Sequence, residues 1–374
     1  MQYRTMRFQK TEDRVSLLGF GCMRFPKTES GAIDRERAGK MLDTALKAGV
    51  NYIDTAYPYH DGESEPFLGR ILAKYARDSY YLATKLPVWL VNTAKEAQAV
   101  FDGQLDRLQV SYVDYYLFHA LNRERWEKLK GSGIIEWAEQ LKQEGKIRHL
   151  GFSFHDDYEV FREIYRQWDF CQIQYNYMDR NIQAGDRGYE LARKMGIPMI
   201  VMEPVKGGML SGLPKEAQAI LEEADPERSP ASWALRWVGS HPGVKLVLSG
   251  MSSEEQLEDN IRTFSPFVPL GTQEEEVIGQ AAKAIRARLK NSCTACRYCM
   301  PCPAGVDIPG NFAIWNEGAM YDIEEKARKA FKEKQEAGAD AGLCIQCGKC
   351  EKVCPQGIGI RKDLADVVKD LSAL

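Results

Sequence analysis

The sequence predicts an α/β chain in two parts: a (β/α)8 barrel over residues 1–272 and a small, mainly helical domain over residues 273–374. Three observations predict it. Short apolar runs of strand length alternate with segments of helical periodicity, eight times within about 250 residues, which is the size of such a barrel. Three consecutive runs end in polar side chains, Asp54, Lys85 and His119. Eight of the 10 cysteines crowd into two tight clusters near the end of the chain.

The totals bound the function. With 374 residues there is room for one large domain and a small one. A net charge of −3 offers no basic surface and argues against a nucleic-acid partner. No apolar run approaches the roughly 20 residues that span a bilayer, so no membrane partner is expected. Residues 1–7 lack the apolar core of a signal peptide, and a cytoplasmic protein is expected. In that compartment clustered cysteines mean metal rather than disulfides.

Taken in order, residues 3–15 are expected to form a hairpin with a polar turn at 9–14. Residues 17–20 form the first barrel strand. Gly21, Cys22 and Met23 follow it, where glycine lets the backbone approach a ligand; an ordinary strand-to-loop turn is the plainer reading. A helix over 35–48 stops at Gly49. The second strand, 51–54, ends on Asp54, and Tyr59 follows in a Pro-containing loop. A helix over 64–76 leads to the third strand, 80–84, and Lys85. Thr93 caps a helix over 93–108. The fourth strand, 115–118, runs into His119, and a helix over 134–142 follows. Strand and helix then alternate at 150–153 and 157–166, 170–174 and 186–195, 198–202 and 229–240, and 244–248 and 253–261. An open doubly wound sheet is the alternative, but residues 19–24 lack the third glycine of G-x-G-x-x-G.

In a barrel of this TIM type the strand ends meet at the C-terminal mouth. A tyrosine hydroxyl titrates near 10, and a neighbouring ammonium lowers that value. Tyr59, Lys85 and Asp54 therefore read as a tuned proton donor, with His119 as a hydrogen-bond donor to a carbonyl oxygen. A lone His or Lys at a strand end is ordinarily a satisfied polar group. Four such residues on three consecutive strand ends read as a site for carbonyl reduction, with hydride from a nicotinamide.

Over about residues 1–265 the sequence resembles the aldo-keto reductase superfamily. Asp54, Tyr59, Lys85 and His119 match its catalytic tetrad. The resemblance implies a TIM barrel that binds NADP(H) and reduces a small-molecule aldehyde or ketone. It implies that Tyr59 is the general acid, tuned by Lys85 and Asp54, and that His119 orients the carbonyl. It also implies cofactor contacts at Gly21, Cys22 and Met23, and carboxamide ligands at Ser153 and Gln174. A pyrophosphate loop is implied at Met202, Glu203, Pro204, Val205, Lys206 and Gly208, and an adenosine end at Gly250, Ser252, Gln256, Asp259 and Asn260. Met202 replaces the aromatic ring usual against the nicotinamide, and Gln256 stands where one branch has Arg. NADPH is favoured modestly, with NADH the alternative.

After a linking helix over 274–290 come Cys293, Cys296, Cys299 and Cys302, then Cys344, Cys347, Cys350 and Cys354. The second run has the spacing of a bacterial ferredoxin that binds [4Fe–4S] clusters, and the first is one residue short before its last cysteine. The stretches after Cys302 and Cys354 repeat each other. In such ferredoxins the last cysteine serves the other cluster. Two [4Fe–4S] clusters are expected, one on Cys293, Cys296, Cys299 and Cys354, the other on Cys344, Cys347, Cys350 and Cys302. Zinc, which takes separated pairs, is the alternative. The segments 308–320 and 322–334 are expected to be helical. Cys171 is expected in the core and Cys22 at the mouth.

The two halves carry different electron chemistry, hydride in one and single electrons in the other. Three functions stay open: a carbonyl reductase with accessory clusters, an electron-transfer enzyme using a flavin and a ferredoxin-type partner, and a non-enzymatic redox sensor.

Overall fold

The computed structural model describes residues 1–372. It divides into two compact units, Met1–Gly208 with Ala231–Glu275, and Met209–Pro230 with the chain from Glu276 onward. The 22-residue segment Met209–Pro230 thus belongs with the cysteine-bearing part, although it precedes the sequence-based boundary at residue 272.

The first unit opens with an antiparallel hairpin, β1 (Tyr3–Arg7) and β2 (Glu12–Ser16). Its turn is tighter than expected, because Glu12, Asp13 and Arg14 pair within β2. Eight parallel strands follow: β3 (Leu18–Gly21), β4 (Tyr52–Asp54), β5 (Tyr81–Leu86), β6 (Val113–Leu121), β7 (Ile147–Phe154), β8 (Phe170–Gln174), β9 (Met199–Met202) and β10 (Val244–Ser249). They close in sequence order, with β10 pairing β3. Every inward side chain at the strand starts needs cover, and the hairpin supplies it. Met6 and Val15 pack with Tyr52, Tyr115, Phe170, Ile200 and Leu246. Asp13 accepts from the Tyr115 hydroxyl at 2.6 Å and lies 3.0 Å from His149 Nε2.

The helices around this barrel are α1 (Arg35–Lys47), α2 (Ser64–Leu72), α3 (Ala94–Leu108), α4 (Arg123–Leu129), α5 (Ile134–Gln143), α6 (Tyr158–Ile164) and α7 (Gly185–Met195). Next come α8 (Lys215–Ala224), α9 (Pro230–Ser240) and α10 (Glu254–Thr263). Thr93 and Glu96 form a reciprocal capping box on α3. Two of these ten helices were not expected. α4 is capped by Asn122, whose side chain accepts from Arg125 N–H at 2.8 Å. α8 interrupts the loop after β9. α2 stops at Leu72 rather than 76, and a 3-10 turn at Arg77–Ser79 completes the connection.

The chain continues through α11 (Thr272–Arg286), α12 (Ile308–Tyr321), α13 (Glu324–Glu336), the short α14 (Lys349–Lys352) and α15 (Ile360–Ser372). In the second unit Phe312 and Trp315 of α12, Phe331 of α13, and Leu364 and Val367 of α15 form a core. Cys293, Cys299, Cys302, Cys344, Cys350 and Cys354 pack against it. No helix among the described residues is long and apolar enough to cross a membrane.

Candidate functional site

Asp54 is the last residue of β4, and Lys85 lies one position before the end of β5. Parallel pairing sets their strands side by side. The result is a buried ion pair, with Lys85 Nζ 2.6 Å from Asp54 Oδ1 and 2.7 Å from the Thr55 carbonyl. Burial opposes the Lys85 ammonium, but Asp54 and Tyr59 together outweigh it and hold it above the usual lysine value. The ammonium lies 4.9 Å from the centre of the Tyr59 ring. Burial lifts the Tyr59 hydroxyl above its ordinary value, and Lys85 offsets only part of that rise. The sequence-based expectation of a lowered value is therefore corrected: desolvation outweighs the ammonium.

His119 was expected past the end of its strand, but β6 continues through it to Leu121. Its ring stands edge-on to Tyr59 at 6.1 Å and 5.2 Å from Trp89. Burial, then the charges of Lys85, His155 and Arg125, keep the imidazole well below its usual range, so it is neutral near pH 7. Its Nδ1 is buried without a hydrogen-bond partner among the described residues. Ala120, next in the chain, has φ 54°, and its N–H donates to Ser153 Oγ at 2.7 Å. Trp89 is 39% exposed at this mouth and is not a core residue. Tyr57 stacks on Arg107, with the guanidinium carbon 5.1 Å from the ring centre.

The Lys85 backbone is braced from behind. Gln104 Nε2 donates to the Lys85 carbonyl at 3.0 Å and to Glu65 at 2.8 Å. Glu65, fully buried, also accepts from Thr84 and Arg107.

The loops after β3, β9 and β10 converge. Ser252 Oγ donates to the Arg24 carbonyl at 2.8 Å. A Cβ on Gly250 would meet Arg24 Cγ at 2.8 Å, and one on Gly207 would lie 3.7 Å from Arg24 Nη2. Arg24, absent from the sequence-based set, is the exposed cation of this junction. Gly207 and Gly208 have φ 63° and 101°, in the left-handed region that favours glycine. Glu203 shares that geometry, Pro204 is buried, and Val205 is half-buried. Lys206 pairs with Asp179 at 2.8 Å.

Other expected cofactor residues are engaged within the protein. Gln174 donates to Asp179 at 2.8 Å and accepts from Gln183 at 2.5 Å. Met202 Sδ accepts from Gln172 at 3.6 Å. Gln256 accepts from Ser252 N–H, Asp259 pairs with Arg262, and buried Asn260 donates to Ser249 Oγ. Met23 is exposed, and a Cβ on Gly21 would press on the Ser249 carbonyl at 3.2 Å. Cys22 is as fully buried as Lys85 and lies within reach of the charges of Asp54 and Lys85; burial pushes its thiol up, as it does for Cys171 in the core.

In the second unit the two cysteine runs share one backbone path. Ala295 and Arg297 have φ 54° and 63°, and Gln346 and Gly348, at the same offsets after the first cysteine, have φ 58° and 71°. Gly305 and Gly357, each three residues past the last cysteine, also have positive φ. One cavity is lined by Cys293, Cys296, Cys299 and Cys354. A second is lined by Cys299, Cys302, Cys344, Cys347 and Cys350. Among the described residues no group of three His, Cys, Asp or Glu is gathered as a single metal ion needs. A tetrahedral zinc would hold its sulfurs about 3.8 Å apart, whereas a cluster of four irons needs a wider cradle of four thiols. Cavities lined by four and by five cysteines supply the all-thiol donor set of that larger group.

Residues 17–283 match the model of the aldo/keto reductase family, and residues 292–358 match that of the 4Fe-4S dicluster domain. The chain belongs to the aldo/keto reductase family. Among its relatives is an uncharacterized oxidoreductase of Bacillus subtilis, YqkF, 28% identical over 66% of this chain and 87% of that one. Another is the NADH-specific methylglyoxal reductase of Escherichia coli, 25% identical over 68% of this chain and 90% of that one. An aldo-keto reductase from Bacillus halodurans, solved in its holo form, is 27% identical with a TM-score of 0.63, covering 75% of this chain and 96% of its own. This aldo/keto reductase chain thus pairs an oxidoreductase barrel with an iron–sulfur domain.

Proposed function

We propose that the barrel reduces an aldehyde or ketone by hydride transfer, with Tyr59 as the general acid. The observation that carries this reading is the buried Lys85–Asp54 pair beside Tyr59, with the His119 ring 6.1 Å from the tyrosine. A nicotinamide cofactor supplies the hydride when bound. Tyr59 keeps its proton near pH 7, because burial raises its hydroxyl, and gives it to the carbonyl oxygen as negative charge grows there. Lys85 stabilises the phenolate left behind, and Asp54 keeps Lys85 charged and in place. Neutral His119 donates an N–H to the same oxygen.

Ser153 and Gln174 are assigned to the carboxamide, Gln174 by giving up a partner. The 202–208 loop and Arg24 are assigned to the phosphates, and Gly250, Ser252, Gln256, Asp259 and Asn260 to the adenosine end. Arg24 supports NADPH over NADH, although one relative is named NADH-specific. We read the functional boundary at residues 272/273 and assign the protein to the cytoplasm, where its thiols stay reduced.

The test is Tyr59→Phe. Carbonyl reduction falls about 10²–10⁴-fold, while NADPH still quenches protein fluorescence with wild-type affinity. Wild-type turnover in the variant would sink the reading.

Two [4Fe–4S] clusters are assigned, one to Cys293, Cys296, Cys299 and Cys354, the other to Cys344, Cys347, Cys350 and Cys302. The two cavities support this exchange of fourth ligands. Because a dicluster domain is present, a second reading stands beside the first: electrons pass between the clusters and a ferredoxin-type partner, with a flavin as the one-electron relay to the barrel. Anaerobic NADPH titration separates them. Bleaching of the cluster absorbance supports the second reading; binding without bleaching supports the first. NADPH binding without reduction of any carbonyl would leave a redox sensor.

A further inference from the structure

Beside His119 stands a cation that the reaction above does not use. Arg125 lies on α4, three residues past its Asn122 cap. Its Nη1 donates to the Ala120 carbonyl at 2.6 Å, and its guanidinium carbon sits 4.9 Å from the centre of the Trp89 ring. Trp89 is 5.2 Å from His119, and His119 is 6.1 Å from Tyr59. Each side chain neighbours the next in the order Tyr59, His119, Trp89, Arg125. α4 itself is tied to the Trp89 turn, because Lys128 Nζ donates to the Val88 carbonyl at 3.0 Å.

Arg125 is half-buried, yet among the described residues no carboxylate is paired with it. Other half-buried arginines of the barrel are matched: Arg77 with Asp114 at 2.6 Å and Arg107 with Glu65 at 2.8 Å. A guanidinium offers five N–H donors, and one contact with a carbonyl leaves most unspent. Its charge reaches both His119 and His155, which it holds toward their neutral forms. The carboxylate of Glu203 also reaches His155.

We infer that Arg125 binds the carboxylate of the substrate, so that the substrate class is an aldehyde or ketone with a carboxylate several bonds from its carbonyl carbon. This rests on the carbonyl-reduction reading. The carbonyl oxygen meets Tyr59 and His119, the methylenes lie against the exposed indole of Trp89, and the carboxylate meets the guanidinium fork. The two groups are set apart in this class because the Trp89 ring contacts His119 on one hand, at 5.2 Å, and Arg125 on the other, at 4.9 Å.

The test compares 4-oxobutanoate with its methyl ester, using the cluster-loaded full chain and NADPH. The wild type favours the acid about 10- to 100-fold in kcat/KM, the worth of one charge-assisted contact. Arg125→Met brings that ratio near unity, and Arg125→Lys restores part of it. Equal use of both compounds by the wild type, or an equal loss on both in Arg125→Met, overturns the inference. If neither compound is reduced, the carbonyl reading fails, and binding then decides the role of Arg125. Calorimetric titration of the NADP⁺-loaded protein with butanoate is expected to saturate in the wild type and to weaken at least tenfold in Arg125→Met. Unchanged or absent binding overturns it.

Discussion

Lys85 Nζ lies 2.6 Å from Asp54 Oδ1, and both side chains are closed off from solvent. A buried pair of this kind costs little while whole and much when halved, because the surviving charge has no water to turn to. Lys85→Met strands the carboxylate and is expected to cost about 3–5 kcal/mol of stability as well as most of the turnover. Asp54→Asn leaves the ammonium its bond to the Thr55 carbonyl and should be milder. Melting curves and kcat for both variants check the order; equal melting of Lys85→Met and wild type would refute it. The raised Lys85 value sets the sign at the alkaline end, where its contribution is lost as pH rises through the higher folded value; at the acid end Asp54, lifted by burial against the pull of Lys85, takes up a proton and ends the pair.

The pH–rate profile should be flat across neutrality. His119 is held well below its usual range by burial and by nearby cations, and Tyr59 is lifted by burial, so neither titrates between about pH 6.5 and 10. An acid limb in kcat/KM centred near 6.5 would contradict the His119 assignment. The linked stability effect has the opposite sense to that of Lys85. A histidine kept neutral by the fold stabilises fully above its unfolded value of about 6.5, and that stability drains away as pH falls below it.

Two glycine substitutions separate packing from propensity. A Cβ on Gly69 of α2 would run into the Arg107 carbonyl oxygen and lie 2.9 Å from the Leu108 carbonyl carbon, both backbone atoms of α3. Gly69→Ala should therefore destabilise by about 1–3 kcal/mol. Gly39→Ala on α1 meets only Ile71 Cδ1 at 3.4 Å and should be neutral or stabilising by up to about 1 kcal/mol. The two shifts in melting temperature should have different signs or sizes; equal shifts would mean that α2 and α3 do not pack this closely.

Much of this was legible because strands put polar residues where their ends must be. Asp54 and Lys85 stand out as charges on otherwise apolar runs, and their parallel strands leave them one place to meet. Arg125 was not legible. No helix is expected between the His119 strand and residue 134, so nothing in the sequence set α4 and its arginine beside Trp89. The net rise at Tyr59 was missed because desolvation depends on packing from several loops, whereas the neighbouring lysine is visible in the chain. The repeat after Cys302 and Cys354 could be read as letters, but the shared positive φ values of Ala295, Arg297, Gln346 and Gly348 could not.

The cysteine runs give the last prediction. If each run wraps one [4Fe–4S] cluster with three cysteines and lends its fourth to the other, Cys354→Ser should empty the site of Cys293, Cys296 and Cys299 and spare the site of Cys344, Cys347 and Cys350. Anaerobically purified wild type should hold about eight irons per chain and the variant about four. Cys302→Ser should give the same count with the other cluster lost, so the two variants should differ in EPR signal while matching in iron. The connection from Cys299 to Cys302 is one residue shorter than that from Cys350 to Cys354, where α14 sits, so Cys302 has the less relaxed reach. Its variant tests the exchange more severely. If Cys302→Ser kept eight irons, Cys302 would not be a required ligand and the exchange would run one way only. If Cys354→Ser instead emptied the site of its own run, each run would be self-contained and the shared cavity with Cys293, Cys296 and Cys299 would have another use.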